Sequence, residues 1–219
     1  MHPAEYLALY AALLDRGRRL VTSPEQYRRA LLFPEFFPCI ADHSFPAVWT
    51  AGKDPSEALE AARVLGPPPY FIKDYSKSAK EIWPEGCVVA TEEAMTPAIR
   101  ALLEYRADRF EGGIVIRPLL RLRYLAENPF GGKILEEYRL FFFKGVLISN
   151  TAYDRVSGND TLLPDYRFLS GRIDSPFFTA DVVVTHQGRP LLLEVGDGGS
   201  SALPPCLSPL DFYTAILAI

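Results

Sequence analysis

FFTADVVVTHQGRPLLLEVGDGGSSALP, residues 177–204, is the stretch from which the fold of this chain is best interpreted. It predicts two strands, at 179–185 and 189–195, because both runs consist mostly of apolar or β-branched residues. The segment His186-Gln187-Gly188 between them has turn-forming chemistry. The stretch therefore predicts a β-hairpin late in the chain.

This hairpin brings acidic side chains together. A two-residue turn at Gln187-Gly188 would pair Asp181 with Glu194, so that two carboxylates share one face. Like charges directly opposite on adjacent strands destabilise a sheet unless a positive charge lies between them. A hard cation is the obvious partner, and Asp197 would supply a third oxygen ligand of the kind that Mg²⁺ accepts. A solvated carboxylate pair, or a longer turn with a shifted register, is also compatible with the pattern.

Composition limits the classes of protein. With 219 residues and 48% hydrophobic content, the chain has enough material for one domain or two small lobes. A net charge of -4 and a pI near 5.5 give no broad basic field, which argues against a nucleic-acid partner. Cys39, Cys87 and Cys206 have no CxxC spacing and favour a reduced cytoplasm. The first residues lack signal-peptide features and a long apolar run, so we expect a soluble protein with no membrane association.

Residues 1–68 are predicted to form an N-terminal unit of helices and irregular connections. Apolar residues recur at helical spacing in the first stretch, and Ser23-Pro24 and Asp54-Pro55 are typical of helix starts. The intervening PEFFPCIADHSFPAVW, residues 34–49, is rich in aromatic residues and proline. That composition favours an irregular, partly buried connection.

The remaining chain is predicted to form two α+β lobes, at residues 69–118 and 119–219. The elements predicted in the first lobe are strands at 70–73, 87–90 and 114–117 and a helix that begins at Thr96-Pro97. The elements predicted in the second lobe are a hairpin joined at Lys144-Gly145, the late hairpin, and a helix that begins at Ser208-Pro209.

Cationic residues lie at the ends of several predicted strands. The segment KDYSKSAK, residues 73–80, carries three lysines, which suit phosphate oxygens and predict a polyphosphate site, although a solvated loop is also compatible. Arg117 ends an apolar strand and requires a partner, a ligand or an opening to solvent. Glu137 and Arg139 share one face of a strand, where a structural salt bridge would also explain them.

Several motif classes are absent from the sequence. There is no GxxxxGK[ST], no GxGxxG after a strand and no GxSxG. The histidines have neither zinc-site nor triad spacing. P-loop, dinucleotide-fold, serine-hydrolase and histidine-based chemistries are therefore not expected.

Five ordered motifs resemble the ATP-grasp superfamily, and specifically the clade named for one arginine and two lysines. They are FIKDYSKS at 71–78, GGIVIR at 112–117, EYRLF at 137–141, Asp181, and LLEVGDG at 192–198. The resemblance covers roughly residues 69–219 and implies an ATP-grasp fold, in which two α+β lobes sandwich ATP and the second lobe holds Mg²⁺. The order of the motifs also resembles, more distantly, the eukaryotic ATP-grasp chaperones that assemble a translation initiation factor.

The resemblance assigns roles to individual residues. It implies nucleotide and phosphate contacts by Lys73, Lys77, the backbone just after Ile116, Arg117, Glu137 and Arg139, with catalytic roles for Lys77 and Arg139. It implies metal ligation by Asp181 and Glu194. One departure is Gly196, which stands where the general family pattern has asparagine, and Asp197 is expected to substitute for it.

The implied reaction is an ADP-forming ligation. ATP would phosphorylate a carboxylate, and an amine would displace phosphate from the acyl phosphate. An ATP-binding assembly chaperone with a protein partner and a phosphotransferase remain the alternatives. The acceptor, a small molecule or peptide, is not legible in the sequence, and the candidate walls of its pocket are residues 121–133 and 155–175, with Arg121, Arg123 and Arg155 available for a carboxylate.

Overall fold

Two four-stranded antiparallel sheets carry the fold of this computed structural model, which describes residues 1–128, 132–154 and 161–219. The α-helices are α1 (Pro3–Leu14), α2 (Pro24–Leu31), α3 (Phe33–Ile40), α4 (Pro55–Ala62), α5 (Met95–Arg106) and α6 (Pro209–Leu217). The strands are β1 (Val48–Trp49), β2 (Tyr70–Asp74), β3 (Val88–Val89), β4 (Ile114–Pro118), β5 (Tyr124–Glu127), β6 (Lys133–Leu135), β7 (Glu137–Phe143), β8 (Val146–Ala152), β9 (Phe177–Val184) and β10 (Pro190–Asp197). Among the helices described, none is both long and apolar enough to cross a membrane.

The first sheet has the order β1-β4-β2-β3 and is covered by α4 and α5. Its core is apolar because alternate strand residues and one helix face point inward, with Ile72, Ile116, Ile99 and Leu102 all essentially inaccessible to solvent. β1 pairs with β4, and α4 packs against both of them. The first sheet thus includes chain segments that precede residue 69, where the sequence suggested that this lobe begins.

The second sheet has the order β10-β9-β7-β8, and a separate ribbon is formed by β5 and β6. The predicted turn between β7 and β8 is confirmed, with positive φ angles at Lys144 and Gly145. Along β7 the side chains alternate, so that Leu140 and Phe142 enter the main core while Arg139 lies on the opposite face. That opposite face of the sheet is turned toward the first sheet and carries the site.

The turn between β9 and β10 is longer than the sequence predicted. The N–H of Thr185 donates to the carbonyl oxygen of Arg189 at 2.9 Å, so the loop contains His186, Gln187 and Gly188. Gly188 has φ +83°, a backbone conformation that favours glycine. The predicted two-residue turn is therefore wrong, because Gly188 closes a three-residue loop instead.

A β-bulge restores the predicted carboxylate pair. Leu192 pairs with Val182 in the register that the longer loop sets, and a regular strand would then place Leu193 opposite Asp181. The register shifts between Leu192 and Glu194, so that Glu194 is the residue that pairs with Asp181. The predicted pairing is confirmed, but the bulge rather than the turn produces it.

Helix α3 corrects the prediction of an irregular segment at residues 34–49. Phe33, Phe36, Phe37 and Ile40 recur at helical spacing and are buried against the second sheet. Pro34 lies in the first turn, where a missing N–H has no helical partner to lose. Burial of this aromatic stripe outweighs the cost of Pro38 inside the helix, and α2 and α3 together cover β10.

Candidate functional site

Lys73 and Glu194 join the two sheets at the centre of the site. Lys73 lies on β2 with only 3% of its side chain exposed, and its Nζ is 3.3 Å from Oε2 of Glu194 on β10. Burial lowers the pKa of Lys73. Burial alone would raise the pKa of Glu194, but nearby positive charges, Lys73 foremost, bring it to about 2. The carboxylate of Glu194 is therefore ionised throughout the physiological pH range.

Arg139 and Asp181 form a bidentate ion pair between β7 and β9. The Nε of Arg139 donates to Oδ1 of Asp181 at 2.8 Å, and Nη2 donates to Oδ2 at 2.7 Å. The remaining Nη1 donates to the carbonyl oxygen of Ala202 at 2.9 Å. Burial would lower the pKa of Arg139, but the contact with Asp181 raises it. The sequence was also compatible with a salt bridge between Arg139 and Glu137, but in the structure Arg139 pairs with Asp181 instead.

Glu137 lies on the same face of β7 as Arg139, and neighbouring carboxylates give its surroundings a negative charge. Burial, followed by the negative charge of Asp181, raises the pKa of Glu137 to about 7. Lys80, from the loop after β2, acts in the opposite direction. Glu137 therefore carries a proton over part of the neutral pH range.

Arg117 is a buried cation between two aromatic rings. Its guanidinium lies 4.7 Å from the ring centroid of Phe45 and 4.5 Å from that of Phe71, and 8% of the residue is exposed. Among the ion pairs of the described residues, none involves Arg117. Burial lowers its pKa to about 10. Of the alternatives that the sequence left open for Arg117, a partner is supplied by the two rings, and the residue also lines the larger cavity.

Two cavities meet at these charged residues. The larger has a volume of about 430 Å³ and the smaller about 300 Å³. Both are lined by Lys73, Lys77, Arg139, Tyr153, Asp181 and Glu194. The larger cavity extends past Glu137 and Lys80 to Phe71 and Arg117, and the smaller extends between the second sheet and helices α2 and α3.

Among the predicted residues, Ile116 lies away from this cluster, and Asp197 lines only the smaller cavity. Ile116 is fully buried in the first core and pairs with Ile72, and it lines neither cavity. Asp197 pairs with Phe178 and so belongs to the core face of the hairpin, opposite to the face of Glu194. Its Oδ2 accepts from the N–H of Ser200 at 2.8 Å, and both residues line the smaller cavity.

The three-carboxylate metal site predicted from sequence is accordingly not assembled. In the described ranges, no group of three His, Cys, Asp or Glu side chains is arranged to hold a metal ion. Asp181 and Glu194 are brought together by their cross-strand pairing, and Asp197 is turned away by strand alternation. The predicted strand ended at residue 195 and left the orientation of Asp197 open, whereas β10 continues to Asp197, three positions beyond Glu194 and therefore on the opposite face.

The remaining pair of carboxylates, Asp181 and Glu194, nevertheless fits a Mg²⁺ ion that is also bound by the phosphates of a nucleotide. Mg²⁺ in nucleotide sites is held by one or two carboxylates together with phosphates, rather than by a cage of protein ligands. Asp181 and Glu194 supply that number of carboxylates at the meeting point of the two cavities. Lys73, Lys77 and Arg139 line the same two cavities, and cations of this kind suit phosphate oxygens.

Arg121 and Arg123, two of the three arginines proposed for the acceptor wall, lie elsewhere. Nη1 of Arg123 is 2.9 Å from Oε2 of the buried Glu136 and 2.9 Å from Oγ1 of Thr161. Neither Arg121 nor Arg123 lines either cavity, and Arg155 lies outside the described residues. The wall that the sequence missed comes from α2, α3 and the segment after β10, with Tyr27, Leu31, Phe36, Ser200, Ser201 and Ala202. Only their helical spacing and the serines after the glycines could have suggested it.

Comparisons with known proteins identify the family and the fold. A family model matches residues 63–216, and its description is an ATP-grasp domain, family 3 of the clade named for one arginine and two lysines. No curated protein matches the chain. Among solved structures, the chain is similar to a RimK domain ATP-grasp protein from Sphaerobacter thermophilus DSM 20745, with a TM-score of 0.60, 18% identity, and coverage of 98% of this chain and 76% of that one.

Two further solved structures illustrate the range of the fold. The biotin carboxylase domain of Hydrogenobacter thermophilus 2-oxoglutarate carboxylase, in complex with MgADP, ADP and bicarbonate, gives a TM-score of 0.67 at 12% identity. The alignment covers 98% of this chain and 51% of that one. C-terminally truncated Cdc123 from Schizosaccharomyces pombe gives 0.62 at 14% identity, over 81% of this chain and 87% of that one. At such identities the similarity shows the fold alone.

Proposed function

The chain belongs to the ATP-grasp domains, in family 3 of the clade named for one arginine and two lysines, and from this membership we propose that it is a Mg²⁺- and ATP-dependent, ADP-forming ligase that joins a carboxylate to an amine. The observation that carries the proposal is the convergence of Lys73, Lys77 and Arg139 with Asp181 and Glu194 where the two cavities meet. Cations for a triphosphate and carboxylates for its metal ion are present at one place.

The ion pairs of the site suggest how it accepts a metal-bound triphosphate. Lys73 is paired with Glu194, and Arg139 with Asp181, so the charges neutralise one another within the protein. A triphosphate offers new acceptors to the lysine and arginine, which frees carboxylate oxygens for Mg²⁺. When bound, Mg²⁺ neutralises charge on the β- and γ-phosphate oxygens. In this exchange of partners the two cations pair with phosphate and the two carboxylates pair with Mg²⁺, so none of the four charged groups is left buried without a partner.

The two cavities are proposed to hold the nucleotide and the carboxylate acceptor, two of the three substrates. The larger cavity holds the nucleotide, with Arg117 and Phe71 at one end and Glu137 on its floor. The backbone just after Ile116 leads into Arg117 and is proposed to meet the adenine. The smaller cavity holds the acceptor, since it opens onto the same charged residues from the side of α2 and α3. Its volume of about 300 Å³ suits a small carboxylic acid or the end of a peptide.

Catalysis in this proposal consists of positioning and charge balance. Arg139 and Lys77 line both cavities and would contact the phosphoryl group as it moves from the nucleotide to the acceptor carboxylate. The acyl phosphate is then attacked by the amine, the C–N bond forms, and inorganic phosphate leaves. No protein nucleophile takes part. Among the described residues, Cys39 and Cys87 are thiols and not half of a disulfide, which supports the proposal of a cytoplasmic setting, where ATP is abundant.

The test begins with calorimetric titration of Mg²⁺ and a non-hydrolysable ATP analogue into the wild-type protein and into Glu194→Gln and Lys73→Ala. We expect micromolar binding by the wild type and at least a tenfold loss in each variant, with Glu104→Gln, an exposed change on α5, as the matched control. Unchanged affinity in both site variants would overturn the proposal. ADP release is then screened with small amino acids and dipeptides, and tight binding without turnover for any acceptor would favour an assembly factor that binds a protein partner.

A further inference from the structure

A pair of hydroxyl groups lies beside the two carboxylates of the site. Thr179 precedes Asp181 by two positions on β9 and therefore shares its face. Thr179 is 2% exposed, and its Oγ1 lies 3.0 Å from Oγ of Ser201. Thr179 and Ser201 both line the smaller cavity together with Glu194.

Gly196 creates the space that these hydroxyls occupy. It is the cross-strand partner of Thr179, and it follows Glu194 by two positions on the same face of β10. A Cβ atom at residue 196 would lie 3.0 Å from Oγ1 of Thr179 and 3.2 Å from Oγ of Ser201. Contacts this short show that the hydroxyls fill the volume next to Glu194 that a side chain at 196 would need.

The hydrogen-bond chain fixes the direction of the protons. The hydroxyl of Ser201 donates to the carbonyl oxygen of Asp197 at 2.8 Å. A hydroxyl has one proton to donate and two lone pairs, so Ser201 acts as the acceptor in its bond with Thr179. The hydroxyl proton of Thr179 is thereby directed at Ser201, and the lone pairs of Oγ1 remain available as acceptors.

We propose that Oγ1 of Thr179 is the third protein oxygen donor to the metal–nucleotide complex, held in its acceptor orientation by Ser201 and the carbonyl group of Asp197. The inference rests on the proposed function and adds a residue that a search for acidic or histidine ligands does not detect. Threonine and serine hydroxyls are established oxygen ligands of Mg²⁺ in other nucleotide sites.

An uncharged donor is suited to this position for an electrostatic reason. Asp181, Glu194 and Glu137 already place carboxyl groups near one another, and a further carboxylate would add like-charge repulsion. A hydroxyl adds an oxygen without adding charge. It also needs no positive partner when the site holds no metal, in contrast to Asp181 and Glu194, which need Arg139 and Lys73.

The experiment measures Mn²⁺ as a paramagnetic substitute for Mg²⁺. Electron paramagnetic resonance titrations give the affinity for Mn²⁺ in the presence of saturating non-hydrolysable ATP analogue. We expect Thr179→Val, which keeps the shape but lacks the oxygen, to bind Mn²⁺ at least tenfold more weakly, and Thr179→Ser to bind within about twofold of wild type. Ser201→Ala should lie between them, because Thr179 then loses its fixed orientation.

Controls separate this inference from the function on which it rests. Thr151→Val, on the edge strand β8 and outside both cavities, should leave Mn²⁺ affinity unchanged. Affinity for the nucleotide in the presence of a metal chelator should be the same in wild type and Thr179→Val. Wild-type affinity in Thr179→Val, with normal binding by the wild type, would overturn the role of Thr179 alone. Absence of any Mn²⁺–nucleotide binding by the wild type would overturn both, and Thr179→Ala repeats the comparison should valine disturb the sheet.

Discussion

Lys73 and Glu194 form a buried ion pair across the boundary between the two sheets, with Nζ and Oε2 3.3 Å apart. The two residues are 121 positions apart in the chain, so the pair forms only when both sheets are folded and packed. Lys73 is almost fully buried, whereas the side chain of Glu194 is 29% exposed toward the cavities. Substitution of Lys73 and substitution of Glu194 should therefore differ in their effect on the free energy of unfolding.

Removal of Lys73 should weaken both folding and nucleotide binding, and the two effects can be separated. We expect Lys73→Met to lower the free energy of unfolding by about 1–3 kcal/mol, because the carboxylate of Glu194 keeps only its weaker partners. The double variant Lys73→Met with Glu194→Leu should recover most of that loss, yet should still fail to bind Mg²⁺ and nucleotide. Urea unfolding and calorimetry check the two results, and a double variant no more stable than Lys73→Met would contradict the account.

Arg117 should be dispensable for stability but required for ligand binding. Its guanidinium packs between Phe45 and Phe71 without an ion pair among the described residues, and burial lowers its pKa. We expect Arg117→Met to fold with stability within about 1 kcal/mol of wild type, because an unbranched apolar chain fills the same space. Affinity for Mg²⁺ and nucleotide should fall by at least tenfold. Arg117→Lys should not restore the affinity, because lysine lacks the planar group that stacks on the rings.

The late hairpin shows both the strength and the limit of prediction from sequence. Runs of apolar and β-branched residues were sufficient to predict the two strands, whereas the pairing of Asp181 with Glu194 was predicted through a two-residue turn that the structure does not have. Nothing in the sequence marks the bulge at Leu193, because an extra residue in a run of leucines does not disturb the pattern. The turn and the bulge each shift the register by one residue, and their effects cancel at Glu194.

The orientation of residues after the predicted strand end, and the contacts between distant elements, were harder to predict from the sequence. The predicted strand ended at residue 195, so the acidic character of Asp197 suggested a metal ligand, whereas β10 continues to Asp197 and strand alternation places it on the face opposite to Glu194. Thr179 offers no acidic or histidine signal, and its place beside Asp181 follows only once the strand is known. The smaller cavity joins α2 and α3 to β10, and such contacts between distant segments are not encoded in local periodicity.

The three-residue turn between β9 and β10 provides a test of the loop assignment. Gly188 has φ +83°, and a Cβ atom there would lie 2.7 Å from Nη2 of Arg123, at the flexible end of that side chain. We expect Gly188→Ala to lower the free energy of unfolding by about 1–2 kcal/mol, chiefly through backbone strain. Gly171→Ala is the matched control, since a Cβ atom at Gly171 would have no neighbour within 4 Å and its φ is not positive. Equal stability of the two variants in urea would contradict the turn geometry.

Glu137 should make the folded protein less stable as pH rises toward neutrality. Its pKa is raised to about 7 by burial and by Asp181, from an ordinary value of 4.5. Between these values the folded protein holds a proton that the unfolded chain releases, so the free energy of unfolding falls with increasing pH. Glu137→Gln removes this dependence. We expect the variant to match wild type near pH 4 and to exceed it above pH 7 by about 2–3 kcal/mol.

Urea unfolding of wild type and Glu137→Gln at a series of pH values, with Glu104→Gln as the control, measures this difference. Glu194 acts in the opposite sense, because its depressed pKa stabilises the fold above pH 4.5 and that contribution is lost toward pH 2, in both proteins. The difference between the two curves above pH 4.5 therefore measures Glu137 together with its repulsion by Asp181 and Glu194. Wild-type and Glu137→Gln curves that stay parallel from pH 4 to pH 8 would show that the Glu137 carboxyl group is solvated, and would remove it from the floor of the nucleotide cavity.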